Sequence, residues 1–187
     1  FQCPLFGGDT TKGPLLVISI QVHGTVEKGR GLKRSGAKIG DNVYVTGPLG
    51  DGAGALPLVL DDPLNRNGLA KHFYKPLPQI AFGKAISRYA NSALDISDGL
   101  IQDLGHVCKA SGVGMEIDTD FMPMSDLLAE TYGREQALKF ALSGGDDYQL
   151  AYTANTCDKG ICIGRVVEGH RVLVDGLEPS IKGYQHF

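Results

Sequence analysis

The sequence predicts an α/β chain of the α+β kind, a mixed sheet sandwiched with helices. Three observations predict it. Short runs rich in Val, Ile, Leu and Tyr alternate with stretches of helical spacing along the chain. The alternation has no strict βαβ regularity and no nucleotide fingerprint, and neither an internal repeat nor a low-complexity tract interrupts it. With 187 residues, 42% hydrophobic and 21% charged, the chain can bury a core as one domain, or as one domain plus a fragment.

Residues 1–13 read as a loop around Phe6-Gly7-Gly8-Asp9-Thr10-Thr11, whose glycines permit a tight turn. Residues 15–23 are β-branched and apolar and predict a strand buried on at least one face. A basic, glycine-punctuated connection over 29–41 leads to a short strand at 42–46. The following Gly47–Gly54 stretch has the glycines of a phosphate loop. It lacks the Gly-Lys-Ser/Thr ending and fails a strict GxGxxG reading, so it predicts a strand-to-helix turn.

Pro63, Pro76 and Pro78 punctuate a connection around a short helix. A helix then spans 79–89, with Ile80, Gly83, Ile86 and Ala90 tracing one face. Leu100, Leu104, Val107 and Ala110 recur at helical spacing and define the next helix. Ser97 or Asp98 is placed to cap its start, and Asp103 adds negative charge to its first turns. A strand is expected over 112–118, followed by one or two helices over 125–142 broken near Gly133. Leu127, Leu128, Ala137, Leu138 and Ala141 are their expected buried residues. Strands close the chain at 148–153, 162–167 and 171–174, the last two forming a pair around Gly169-His170.

A net charge of -3 gives no electrostatic case for nucleic acid. No apolar run approaches a membrane span, and no signal peptide is visible. The four cysteines, Cys3, Cys108, Cys157 and Cys162, have no CxxC spacing and are expected to be free thiols, with Cys108 on the apolar side of its helix. The histidines share no ligand spacing.

Ser92-Ala-Leu-Asp95-Ile-Ser97-Asp98-Gly99-Leu100 carries the most chemistry. A helix start offers unpaired N–H groups and a partial positive charge, which suits a phosphate. Asp95 and Asp98 put two carboxylates at the same place. Such oxygens repel one another unless a cation sits among them, and Mg²⁺ is the cation that takes one or two carboxylates plus phosphates. A capped helix start produces the same string, so this stretch by itself leaves both readings open. Arg34 could clamp a phosphate or be a solvated surface arginine. Gly7-Gly8-Asp9 and Gly144-Gly145-Asp146 each present carboxylates just before a predicted strand, and self-capped turns account for both equally well.

Together, and in this order, GGDTTKGP, KRSGAKIGDNVYVTGPLGD, NSALDISDGLIQDLGHVCKASG, ALSGGDDYQL and KGYQHF resemble the thiamine-monophosphate kinase family. That family belongs to the superfamily of aminoimidazole ribonucleotide synthetase and selenophosphate synthetase. The resemblance implies the mixed-sheet sandwich of the synthetase C-terminal domain. It also implies ATP-dependent phosphorylation of thiamine monophosphate to thiamine diphosphate, with Mg²⁺ held by aspartates. By matching motif it makes Gly8, Asp9, Arg34 and Ser97 ATP-binding residues, Asp9, Asp95 and Asp98 metal ligands, and Asp146 and Ile181 substrate-binding residues. Asp146 stands where the family has Glu, Gln149 replaces an acid, and Ile181 stands where a large aromatic is common. A cytoplasmic homodimer is the expected setting.

The resemblance starts late in the family's sequence, and the chain opens on Phe1. Residues 1–30 are thus expected to be the end of an N-terminal ATP- and metal-binding domain and 31–187 the second domain, with little or no turnover by this chain alone. A non-catalytic nucleotide- or metabolite-binding module, or another ATP-dependent enzyme of the superfamily, are the alternatives.

Overall fold

The stripe Leu100–Leu104–Val107 lies in the middle of the larger of the cores. In the computed structural model, which describes residues 3–65, 67–156 and 159–180, these side chains belong to helix α4 (Leu100–Ser111). They are sealed against a six-stranded sheet. In chain order the strands are β1 (Asn42–Val45), β2 (Ser92–Asp95), β3 (Gly114–Ile117), β4 (Leu150–Ala154), β5 (Ile161–Val167) and β6 (Val172–Val174). They lie side by side in the order β2-β4-β1-β5-β3-β6. Every pairing is antiparallel except the parallel β3–β6 edge.

Strand alternation sorts side chains between the two faces. Val43 and Val45 join Met115, Ile117, Ala151 and Ile163 beneath α4, whereas Tyr44 points to the opposite face. There it stacks on Tyr152 at 5.2 Å, and helix α3 (Ile80–Ile86) covers the pair through Ile86 and Phe82. A third core is wholly helical. It packs α1 (Asp51–Asp61) and α2 (Ala70–Tyr74) against α5 (Asp126–Tyr132) and α6 (Arg134–Ser143) around Ala55, Leu69, Leu128 and Ala137. Each fully buried Leu in these clusters contributes about 1.5–3 kcal/mol.

Three expectations change. Residues 15–23 form no strand: they run exposed, with Leu16 at 90% and Ile20 at 83% accessibility. A strand exists only by pairing, and no edge of this sheet reaches them. The pair expected at 162–167 and 171–174 is not a pair. β3 lies between β5 and β6, and the connection crosses over the end of β3 at Gly114, where a Cβ would stand 2.9 Å from the Glu168 carbonyl oxygen. The cap of α4 is neither Ser97 nor Asp98. Gly99 is the capping residue, without a side-chain bond, and Ala110 at the far end of the expected stripe is exposed.

The break at Gly133 is as expected, with φ 77° between α5 and α6. Cys3, Cys108 and Cys162 are free, and burial pushes the Cys108 thiol up to about 11. Cys157 falls outside the described residues. Among the described residues no helix is long and apolar enough to cross a membrane.

Candidate functional site

β2 delivers Asp95 to the rim of the sheet, Ile96 turns back into the core, and the chain bends through Ser97-Asp98-Gly99 into α4. The bend is held from inside the helix. A carboxylate oxygen of Asp103 accepts from the amides of Ser97 and Asp98 at 3.0 and 3.1 Å. Asp103 is buried, and that desolvation raises its pKa against the pull of these two bonds. Two of the amides expected to await a phosphate are therefore satisfied already.

The loop 144–149 lies alongside this bend as a continuation of the β2–β4 ladder. The Ile96 amide donates to the Gln149 carbonyl at 2.8 Å, Tyr148 N–H to Ile96 at 2.9 Å, and Asp146 N–H to Ser97 at 3.0 Å. The approach is backbone on backbone. A Cβ on Gly145 would stand 2.2 Å from the Ser97 carbonyl oxygen. At Gly99, where φ is +112°, a Cβ would meet the Ser143 carbonyl oxygen at 2.5 Å.

Asp147 ties the same loop to the turn that starts α1. Its carboxylate accepts from the amides of Gly50 and Gly52 at 2.8 and 3.2 Å. Desolvation outweighs these bonds, and the charges of Asp51 and Asp146 add to it, so the group is pushed up to about 7. On either side of Asp147 the chain adopts the left-handed region, with φ 64° at Asp146 and 52° at Tyr148. The Tyr148 hydroxyl donates to Asp146 Oδ1 at 2.9 Å. That bond first, then burial, then the charges of Asp146, Asp95 and Asp98 raise the phenol pKa. Asp146 is the carboxylate that the hydroxyl touches, and Asp95 and Asp98 act on it only through their charge.

Asp146 also lines a cavity of about 380 Å³ whose other walls include Lys71, His72, Lys75, Asp51 and Gln149. The His72 ring nitrogen lies 3.6 Å from Asp51, which in turn accepts from Ser125 Oγ at 2.6 Å. The volume suits a small organic ligand. A separate cavity of about 490 Å³ on the β3–β5 side holds none of the expected site residues, and its Arg165 is paired with Glu116 at 2.7 Å.

Of the residues singled out by sequence, the fold gathers Asp95, Ser97, Asp98 and Asp146. It does not bring the others to them. Gly8 and Asp9 lie in the exposed stretch 3–31, where, among the described residues, Asp9 accepts only from its neighbour Thr10. Arg34 is exposed, and its backbone is held by Ser111 at the far end of α4 from Ser97. Ile181 falls outside the described residues. Tyr148, Asp147 and Asp103 were not singled out as site residues. The only advance signal of the first two was the doubled Asp-Asp-Tyr, and Asp103 showed only as a charge near a helix start. No group of three or more His, Cys, Asp or Glu able to hold a metal occurs among the described residues. Asp95 and Asp98 are two carboxylates on one turn, a donor set that fits Mg²⁺ only when phosphates and waters complete its shell.

Residues 38–173 match the family described as AIR synthase related protein, C-terminal domain. The chain belongs to that family. The thiamine-monophosphate kinase of Escherichia coli K12 is 42% identical, aligned over 100% of this chain and 64% of that relative. The solved thiamine-monophosphate kinase of Stenotrophomonas maltophilia K279a superposes with a TM-score of 0.77 at 36% identity, covering 82% of this chain and 56% of that one. A second structure, AaThiL complexed with AMPPCP and TMP, gives 0.77 at 38% identity over 83% of this chain and 54% of that one. The chain therefore spans less than two thirds of the relatives it matches. The AIR synthase C-terminal assignment accounts for the mixed six-stranded sheet.

Proposed function

We propose that the protein acts in the ATP-dependent phosphorylation of thiamine monophosphate to thiamine diphosphate. The observation that carries this reading is the hydrogen bond from Asp146 N–H to the Ser97 carbonyl. It joins the carboxylate turn expected to meet nucleotide and metal to the loop expected to meet the acceptor. The 42% identity to a thiamine-monophosphate kinase and the likeness to a structure complexed with AMPPCP and TMP support the same chemistry.

In this reading Asp95 and Asp98 would hold Mg²⁺, which when bound neutralises phosphate charge. Ser97 is read as an ATP-binding residue at this turn, and Asp146 and Ile181 as acceptor-binding residues. The ATP roles of Gly8, Asp9 and Arg34, with Asp9 also a metal ligand, rest on the family motifs alone, since the fold holds these three away from Ser97. Phosphoryl transfer depends on positioning and charge neutralisation, because the acceptor phosphate oxygen is already anionic. The bend through Ser97 suits that demand, since Asp103 on one side and loop 144–149 on the other fix its backbone. Residues 1–30 are read as the end of a preceding domain and 31–187 as the second domain, a division supported by the exposure of 3–31 and by a family match that begins at residue 38. A homodimer in the cytoplasm is the proposed setting.

Calorimetric titration with an ATP analogue, with and without Mg²⁺, tests the reading. Mg²⁺-dependent binding lost in the Asp95→Asn, Asp98→Asn double variant is the expected result. A folded chain that binds no nucleotide in either condition overturns it.

A further inference from the structure

Tyr148 is a bulky aromatic in the left-handed region, a conformation that persists only where its surroundings enforce it. Here they do. The amides of Asp146 and Tyr148 donate to Ser97 and Ile96, and Asp147 between them is bound to the amides of Gly50 and Gly52. The loop is pinned to two elements at once, and in that shape the Tyr148 hydroxyl reaches Asp146 Oδ1 at 2.9 Å. The Asp146 side chain is itself exposed, and among the described residues the Tyr148 hydroxyl is its hydrogen-bond partner. One of its oxygens is taken by the phenol. The other remains for a ligand in the cavity of about 380 Å³ that Asp146 lines.

We infer that Tyr148 is a positioning residue that holds the Asp146 carboxylate toward this cavity, where Asp146 receives the amine-bearing heterocycle of the phosphorylated acceptor. The inference rests on the kinase reading, which already assigns the acceptor contact to Asp146, and deepens it by adding Tyr148 as a second determinant of that contact. Tyr148 acts through Asp146, the partner of its hydroxyl. Removing its hydroxyl therefore weakens the acceptor alone.

Calorimetry on wild type, Tyr148→Phe, Asp146→Asn and the double variant, each titrated with thiamine monophosphate and separately with a Mg²⁺–ATP analogue, tests this. Tyr148→Phe removes one oxygen from an exposed ring and leaves the melting temperature in place. It is expected to weaken thiamine monophosphate about 5- to 10-fold and to change nucleotide affinity by less than about 2-fold. In the Asp146→Asn background the same change is expected to add less than about 2-fold, because its route is already cut. An analogue whose pyrimidine amine is replaced by hydroxyl is expected to be insensitive to Tyr148→Phe. Equal loss of both ligands, additive losses in the double variant, or no loss overturns the inference and leaves the kinase reading standing. Wild type that binds nucleotide but not thiamine monophosphate also overturns it. A folded wild-type chain that binds neither ligand overturns the kinase reading, and the positioning role falls with it.

Discussion

The Asp146 amide donates to the Ser97 carbonyl across 3.0 Å, and Gly145, the residue just before it, lies so close that a Cβ there would stand 2.2 Å from the same oxygen. Two loops 49 positions apart in the chain therefore share one backbone seam, and the carboxylates on both sides depend on it.

Gly145→Ala opens that seam. The methyl group meets backbone, which cannot swing aside as a side-chain tip would. A loss of about 1–3 kcal/mol in denaturant unfolding is expected. Mg²⁺-dependent nucleotide binding should weaken in the variant even where it remains folded.

Asp103→Ala removes the acceptor for the Ser97 and Asp98 amides while leaving Asp95 and Asp98 in the sequence. Leaving these two amides without their acceptor predicts about 1–3 kcal/mol of destabilisation by chemical unfolding. Nucleotide affinity should fall together with it, because the turn that carries both carboxylates is no longer held.

Asp147 sets a pH dependence. Its carboxyl holds its proton more tightly in the folded chain, at about 7 against an ordinary 3.8, so the folded state binds extra protons between those values. Its contribution to stability is complete below about pH 4 and is lost as pH rises through 7. Asp147→Asn keeps an oxygen for the Gly50 or Gly52 amide and abolishes the titration. The melting temperature of wild type minus that of Asp147→Asn is expected to decrease from pH 4 to pH 7 and then level off.

Limited proteolysis tests the boundary near residue 30. Lys12, Lys28 and Arg30 lie in the exposed stretch 3–31. Trypsin is expected to cut there first and to leave a product that melts within a degree or two of the intact chain, since among the described residues none of the buried core lies before Ala37. A large fall in melting temperature on cleavage would show that the stretch supports the core.

Legibility tracked how local the physics was. The α4 stripe, the break at Gly133 and the turn before α1 follow from periodicity and backbone chemistry within a dozen residues. The β3 crossover did not, because the short link from β5 to β6 reads as a hairpin until Gly114 shows room for the chain to pass over it. Residues 15–23 have every property of a strand except a neighbour, and only the sheet could say that they have none.

In the site, residue type already marks the chemical inventory. Asp95, Ser97, Asp98 and Asp146 stand out because carboxylates and hydroxyls beside glycines are read from residue type. Which of them share a location depends on how the chain folds. The fold also decides that Asp103 and Asp147 serve as backbone anchors, and that Tyr148 reaches Asp146. The physical reason is range: propensity and spacing act over a few residues, whereas hydrogen bonds between loops and the desolvation of a carboxyl exist only once distant segments have been brought together.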